Sequence, residues 1–228
     1  IPFSRFGSYM AFSYLAEAPR CKEGLYFRTI HGQTHNTELF RIETTDGSPI
    51  TVDYRPYKLT LNYSSYAEII FSEEHAIRMR GKGDTLKFIK DNSNAMNLID
   101  LSDRRFAVNI GLNCFQLGVT KIKGDVKVED NWDGYATNGM TLTFIPDDNC
   151  EWEVELRDYP TACFPAMERT EGFDILAERV KCEFEAFYQN MPAVPPEYEP
   201  LRKLAAYIGW SSVVAPIGNL TRYGMLMS

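Results

Sequence analysis

From residue 24 to about residue 156 the chain alternates apolar and polar positions in short runs. Leu25, Phe27 and Ile30 lead in, and the alternation recurs at 38–43, 58–63, 66–71, 75–80, 85–90, 105–110, 125–129, 140–145 and 151–156. A period of two sends successive side chains to opposite faces, so each run predicts a half-buried strand. Turn chemistry separates the runs: Asp46-Gly47-Ser48-Pro49, Gly81-Lys82-Gly83-Asp84, Lys123-Gly124-Asp125, Trp132-Asp133-Gly134 and Pro146-Asp147-Asp148-Asn149. Many short strands with no helical period between them predict a mainly β chain, built as a two-sheet antiparallel β-sandwich.

The pattern changes near Thr170. Phe173, Leu176, Ala177, Val180, Phe184 and Phe187 recur at steps of three and four, which is one apolar helix stripe with Thr170 as its expected N-cap. Met191-Pro192-Ala193-Val194-Pro195-Pro196 stops that helix and predicts a stiff connector. A second helix is expected to start between Glu197 and Pro200 and to carry Leu201, Leu204, Ala205 and Ile208. Past Tyr207 almost nothing is charged, and such a segment calls for burial on more than one side. The resulting organisation is a sandwich over 1–165, a linker helix and connector over 166–196, and the start of a helical domain over 197–228. Residues 215–228 carry a single charge, Arg222, and finish on Gly224-Met225-Leu226-Met227. An apolar run of this kind is sticky when exposed. Either it folds back as a final strand or docks on the sandwich, or the chain continues into a longer protein.

The 228 residues suffice for one large domain with an appendage. An apolar fraction of 44% with 24% charged residues excludes disordered and collagenous classes. The net charge of -7 supplies no basic field for a phosphate backbone, so no nucleic-acid partner is expected. The first fourteen residues lack the charged start and compact apolar run of a signal peptide, and no run approaches the roughly 18 apolar residues of a spanning helix. No membrane association is expected, and the expected compartment is the cytoplasm. Cys21, Cys114, Cys150, Cys163 and Cys182 are widely spaced with no C-x-x-C pair, which predicts reduced, mostly buried thiols.

Candidate chemistry is sparse. His31 and His35 stand four apart, but Gly32 and the flanking polar residues make the helix that a metal motif needs a poor fit, so a polar hairpin loop is expected. His75 heads a strand without a partner. No nucleophile elbow or phosphate loop occurs, and no metal or cofactor is expected. Glu73-Glu74 and Asp147-Asp148 fall in predicted turns, where solvated acids are the ordinary reading and a glycosidase pair the alternative. Trp132-Asp133-Gly134-Tyr135 can stack on a sugar, or Trp132 can simply pack on the sandwich edge. Trp210-Ser211-Ser212 and the run from Gly218 to Arg222 combine an aromatic, small hydroxyls and one cation.

At these residues the chain resembles a known family group. The run from Ala206 through Trp210, Pro216, Asn219 and Arg222 to Ser228 is similar to the start of the catalytic barrel in six-hairpin glycosidases. Among these it most resembles bacterial glucosidase-like proteins related to family 63 glycoside hydrolases. The early run from Gly24 to Gly32, followed by Glu38-Leu39-Phe40-Arg41-Ile42, looks like the opening strands of that group's sandwich. The resemblance implies a sandwich, a linker helix and then an (α/α)6 barrel. It implies the non-catalytic N-terminal part of a glycoside hydrolase acting on α-linked glucosides or related oligosaccharides. The family's catalytic acid and base lie on later barrel loops, so no catalytic residue is carried over. Trp210, Asn219 and Arg222 are the implied substrate-binding residues, because their loop would open onto the barrel top. The implied partners are the oligosaccharide and the chain's own downstream barrel. The alternative is a stand-alone carbohydrate-binding or partner-docking module without catalysis.

Overall fold

The computed structural model describes residues 2–5, 10–18, 22–29, 38–90, 96–102, 105–110, 115–135, 137–160, 170–216 and 221–225. The chain is mainly β. Its strands are β1 (Phe3–Ser4), β2 (Met10–Leu15), β3 (Gly24–Thr29), β4 (Glu38–Thr44), β5 (Thr51–Arg55), β6 (Lys58–Asn62), β7 (Tyr66–Glu73), β8 (Ala76–Lys82) and β9 (Leu86–Lys90). There follow β10 (Met96–Ser102), β11 (Arg105–Ile110), β12 (Phe115–Lys123), β13 (Asp125–Trp132), β14 (Thr137–Ile145) and β15 (Glu151–Pro160). Helix α1 (Phe173–Gln189), a 3-10 turn (Pro196–Tyr198), helix α2 (Glu199–Ser211) and the short strands β16 (Val213–Val214) and β17 (Gly224–Met225) complete the order.

Two sheets form a sandwich, as the alternation predicts. One runs β1-β2-β3-β4-β9-β14-β13 and the other β10-β11-β12-β15-β8-β7-β6-β5, with antiparallel neighbours throughout. The chain changes sheet between β12 and β13 at Gly124, whose φ is +64°. A Cβ there would lie 2.3 Å from the Ile145 carbonyl oxygen, so glycine is required by both torsion and space. The inward residues of both sheets make one core: Phe12, Phe27, Phe40, Phe88 and Phe144 from the first face Leu59, Ile69, Met79, Trp152 and Leu156 from the second. Phe144 and Trp152 stack at 5.0 Å and bridge the layers.

Several expectations shift in detail. Gly81 lies inside β8, because the Trp152 indole occupies the space that its Cβ would need, 2.2 Å away. The turn therefore starts later, and Gly83 takes the positive φ. His75 sits in the tight β7–β8 turn at φ +61°, one residue before the strand it was expected to head. Helix α1 is capped at Gly172 instead of Thr170, with no side-chain cap bond. Strands β2, β5, β10 and β12 appear where the period-two reading had marked none. The two described free cysteines, Cys150 and Cys182, are exposed, contrary to the expected burial; one sits at a left-handed turn residue and the other on α1. Cys21, Cys114 and Cys163 lie outside the described residues.

The outer face of the second sheet is half apolar and half ionic. Ile70 of β7 packs under Phe173 and Leu176, which seats α1 on the sheet. Beside it, Arg80 donates to Glu68 at 2.7 Å and pairs with Asp174 at 2.7 Å, with its guanidinium over the Phe173 ring. Farther along, Arg157 bridges Glu73 (2.9 Å) and Glu155 (3.1 Å), and Arg78 bridges Glu153 (2.9 Å) and Glu155 (3.4 Å). Glu73 is thus buried against a guanidinium, not solvated in a turn. Its pairing places it on the structural side of the two readings. Asp147 behaves as a turn acid, accepting the backbone N–H groups of Asn149 and Glu151. Among the described residues no helix is long and apolar enough to cross a membrane.

Candidate functional site

The N-terminal residues tie α2 to the sandwich. Phe3 enters the core against Phe71, with ring centroids 5.4 Å apart. On either side of it the chain reaches α2: the Tyr207 hydroxyl donates to the Pro2 carbonyl at 3.3 Å, and the Ser4 hydroxyl donates to the Ser211 carbonyl at 3.1 Å. The Arg5 guanidinium lies over the Trp210 indole. Burial pushes Arg5 down to about 9, and the Glu183 carboxylate partly offsets it. On its other sides Trp210 meets Phe184 (5.4 Å) and Phe187 (5.5 Å) of α1.

This placement bears on the three residues implied to bind substrate. Trp210 is 3% exposed and pins α2 between α1 and β1. Arg222 is exposed, just before β17, and does not join Trp210 in any described contact. Asn219 lies outside the described residues. Gly224–Met225 of the apolar tail fold back as the final strand β17, which pairs with Val213–Val214 in a two-strand ladder separate from the sandwich; residues 226–228 lie outside the described residues.

The described residues instead gather around a seam where the first sheet faces the edge of the second. A cavity of about 600 Å³ is lined by Pro2, Ser13, Tyr14, Arg28, Tyr54 and Tyr207, with Leu15 at its wall. Pro2 precedes β1, and four elements supply the other side chains: β2, β3, β5 and α2. Tyr54 follows Val52 on the inward face of edge strand β5; it pairs with Leu59 and looks across the seam because no strand covers it. Tyr14 is held by its hydroxyl, which donates to Glu23 at 2.6 Å, and this bond is the main reason its phenol is pushed up. Burial, with the nearby Tyr54 phenol adding, pushes Tyr207 up to about 12. The three tyrosines are therefore neutral at physiological pH, and Arg28 is the one cation among the described lining residues. Arg28 reaches the Ser13 hydroxyl at 3.5 Å. A second cavity of about 380 Å³ adjoins it, sharing Tyr14 and lined by Leu25, Ile42, Thr44, Ser48 and Pro49 among others. Both volumes fall in the ~300–1,000 Å³ range of small-molecule sites.

The other candidates resolve differently. Trp132 is 52% exposed and Tyr135 91% exposed, so the tip of the β13–β14 hairpin projects its aromatics instead of packing them on the edge. Asp133 shapes that tip, accepting the Tyr135 N–H at 2.8 Å and the Asn138 amide at 2.7 Å. Glu155 has a carboxyl raised above the ordinary range by burial, against the pull of Arg157 and Arg78. Its neighbours are guanidinium groups in a closed network with no adjoining cavity among those described, which suits a structural ion cluster. His31 and His35 lie outside the described residues. Among the described residues no group of three or more His, Cys, Asp or Glu is placed to hold a metal ion.

Sequence reasoning missed Tyr14, Arg28, Tyr54 and Tyr207. They are far apart along the chain, and only sheet pairing and α2 docking bring them together. The one available signal was the aromatic excess, 13 Tyr and 14 Phe, which names no position. No protein-family model matches the chain, and no curated protein matches it either.

Proposed function

We propose that this chain is the N-terminal, non-catalytic part of a cytoplasmic glycoside hydrolase that acts on α-linked glucosides or related oligosaccharides. The observation that carries the reading is a second apolar face on α2. Ala206 and Trp210 are buried on the side toward α1 and β1. Leu201, Leu204 and Ile208 lie three and four residues apart on the opposite side, and they are 61%, 45% and 47% exposed. A surface helix needs one apolar stripe. A helix with two opposed stripes is suited to a layer between other elements, as the first helix of a helical barrel would be.

The order of elements supports the same reading: sandwich, helix seated on the sheet, proline-rich connector, then α2. The sandwich would brace the barrel through the contacts of Arg5, Trp210 and Ser4. In the mechanism this reading implies, one carboxylic acid protonates the leaving oxygen while a carboxylate on the other side activates water, giving inversion. Both groups belong to barrel loops after residue 228. No acid described here is assigned to either role, and Glu73 and Glu155 are committed to Arg157.

The test compares the 228-residue chain with the protein isolated from its natural source. Both are incubated with a panel of α-linked glucose disaccharides, and the first product's anomer is read by proton NMR. The natural protein is expected to release β-glucose and the 228-residue chain to release none. Turnover by the 228-residue chain, or a natural protein inactive on every glycoside in the panel, would refute the proposal.

A further inference from the structure

We propose that the seam between β2–β3 and β5 is a non-catalytic binding site for a neutral oligosaccharide. The inference stands on the cleft and does not depend on where catalysis occurs. Tyr14, Tyr54 and Tyr207 line the cavity of about 600 Å³, and Tyr14 also lines the cavity of about 380 Å³. A pyranose ring has an apolar C–H face and a rim of hydroxyls. Tyrosine offers a broad, stiff, amphipathic surface to such a ring at low entropic cost. Two of the three hydroxyls are held, Tyr14 on Glu23 and Tyr207 on the Pro2 carbonyl, which fixes the rings before a ligand arrives.

Polar groups also line the two spaces: Arg28 and Ser13 the larger, and Thr44 and Ser48, linked to each other at 3.2 Å, the smaller. The charge of the lining is small. Among the described residues Arg28 is the one cation that lines the larger space, and Glu43 in the smaller space is paired with Arg41. An anionic polymer finds no basic track here, and a cation finds no acidic one. The larger space is lined by three tyrosines and Ser13 against Pro2 and Leu15, which favours a sugar over an apolar peptide there, whereas Leu25, Ile42, Ile50 and Val52 make the smaller space more aliphatic.

The site differs from the exposed Trp132–Tyr135 hairpin, which lies on β13 and β14 at the far edge of the first sheet. That separation makes the test discriminating. The 228-residue chain is titrated with maltohexaose, and in parallel with cellohexaose, while amide and indole resonances are followed by NMR. The inference predicts saturable shifts at Ser13, Tyr14, Arg28 and Tyr54, with the Trp132 indole unmoved. Tyr14→Ala and Tyr54→Ala, both at exposed positions, are expected to weaken binding about three- to tenfold each, and Trp132→Ala to leave it unchanged. Failure of both oligosaccharides to shift any resonance at millimolar concentration overturns the inference. So do shifts confined to the Trp132 hairpin, or affinity that survives both tyrosine substitutions. These outcomes are read without hydrolysis, so they are separate from the fate of the glycosidase reading.

Discussion

Replacing Arg157 with Met should strip two carboxylates of a guanidinium on the outer face of the second sheet, leaving Glu155 its 3.4 Å contact with Arg78. Arg157 donates to Glu73 at 2.9 Å and to Glu155 at 3.1 Å, and all three side chains are under one-tenth exposed, so water cannot take its place. Two charge-assisted hydrogen bonds at ~1.5–3 kcal/mol each set a gross loss of ~3–6 kcal/mol. Removing a buried guanidinium also removes its own desolvation cost, which brings the net to about 3–5 kcal/mol, the usual penalty for breaking a buried pair from one side. That is a large share of the roughly 5–15 kcal/mol total of a domain. The loss should depend on pH in a stated direction. Burial already holds the Glu155 carboxyl above its ordinary range. A raised folded-state value means that the folded chain binds the proton more tightly than the unfolded chain, so the ionised form costs stability and acid relieves that cost. Urea unfolding of Arg157→Met should therefore show a smaller deficit near pH 5 than near pH 7, as measured against the parent at each pH. The double variant Arg157→Met with Glu155→Gln should recover part of the loss. A deficit below about 1 kcal/mol at neutral pH, or one that grows in acid, would refute the reasoning.

Other expectations follow from single contacts. Gly81→Ala should destabilise by about 2 kcal/mol or more in thermal unfolding, because its Cβ would meet the Trp152 ring at 2.2 Å within a close-packed core. Trp210→Ala should loosen α2 while sparing the sandwich: hydrogen exchange should quicken across Glu199–Ser211 by the equivalent of about 3 kcal/mol, with β7 and β8 unaffected. Tyr63 and Tyr207 should ionise near 12 in an ultraviolet titration, and the late signal should shrink in Tyr207→Phe. Because their folded values lie above the unfolded one, the stability they contribute is complete below about pH 10 and is lost as pH rises toward 12. Leu204→Lys should be nearly neutral in the 228-residue chain, where the side chain faces solvent, and should lower the melting temperature of the natural-length protein.

The fold was legible wherever one strand face meets the core and the other does not. Runs such as Lys58–Asn62 and Leu86–Lys90 alternate cleanly for that reason. The reading passed over β12 although Gln116-Leu117-Gly118-Val119-Thr120 alternates, with Leu117 and Val119 facing the core. It lost β2 because both faces of Met10–Leu15 carry aromatic or apolar residues. Charges misled in the opposite sense. Glu73 reads as a solvated turn acid until the partner that buries it, Arg157, is brought from 84 residues away by the β15–β8 pairing. Likewise Trp210 reads as a candidate sugar-binding aromatic in a segment that calls for burial, and only the return of residues 2–5 to the helix shows what covers it. The tyrosine seam was invisible for the same cause, since its members share a surface and no sequence neighbourhood.

The second apolar face of α2 leads most directly to one measurement, the intact mass of the protein isolated from its natural source. The account predicts a mass more than about twice 26.1 kDa, enough for a second domain that covers Leu201, Leu204 and Ile208. A mass near 26.1 kDa would contradict it and leave that stripe open to solvent or to a separate partner.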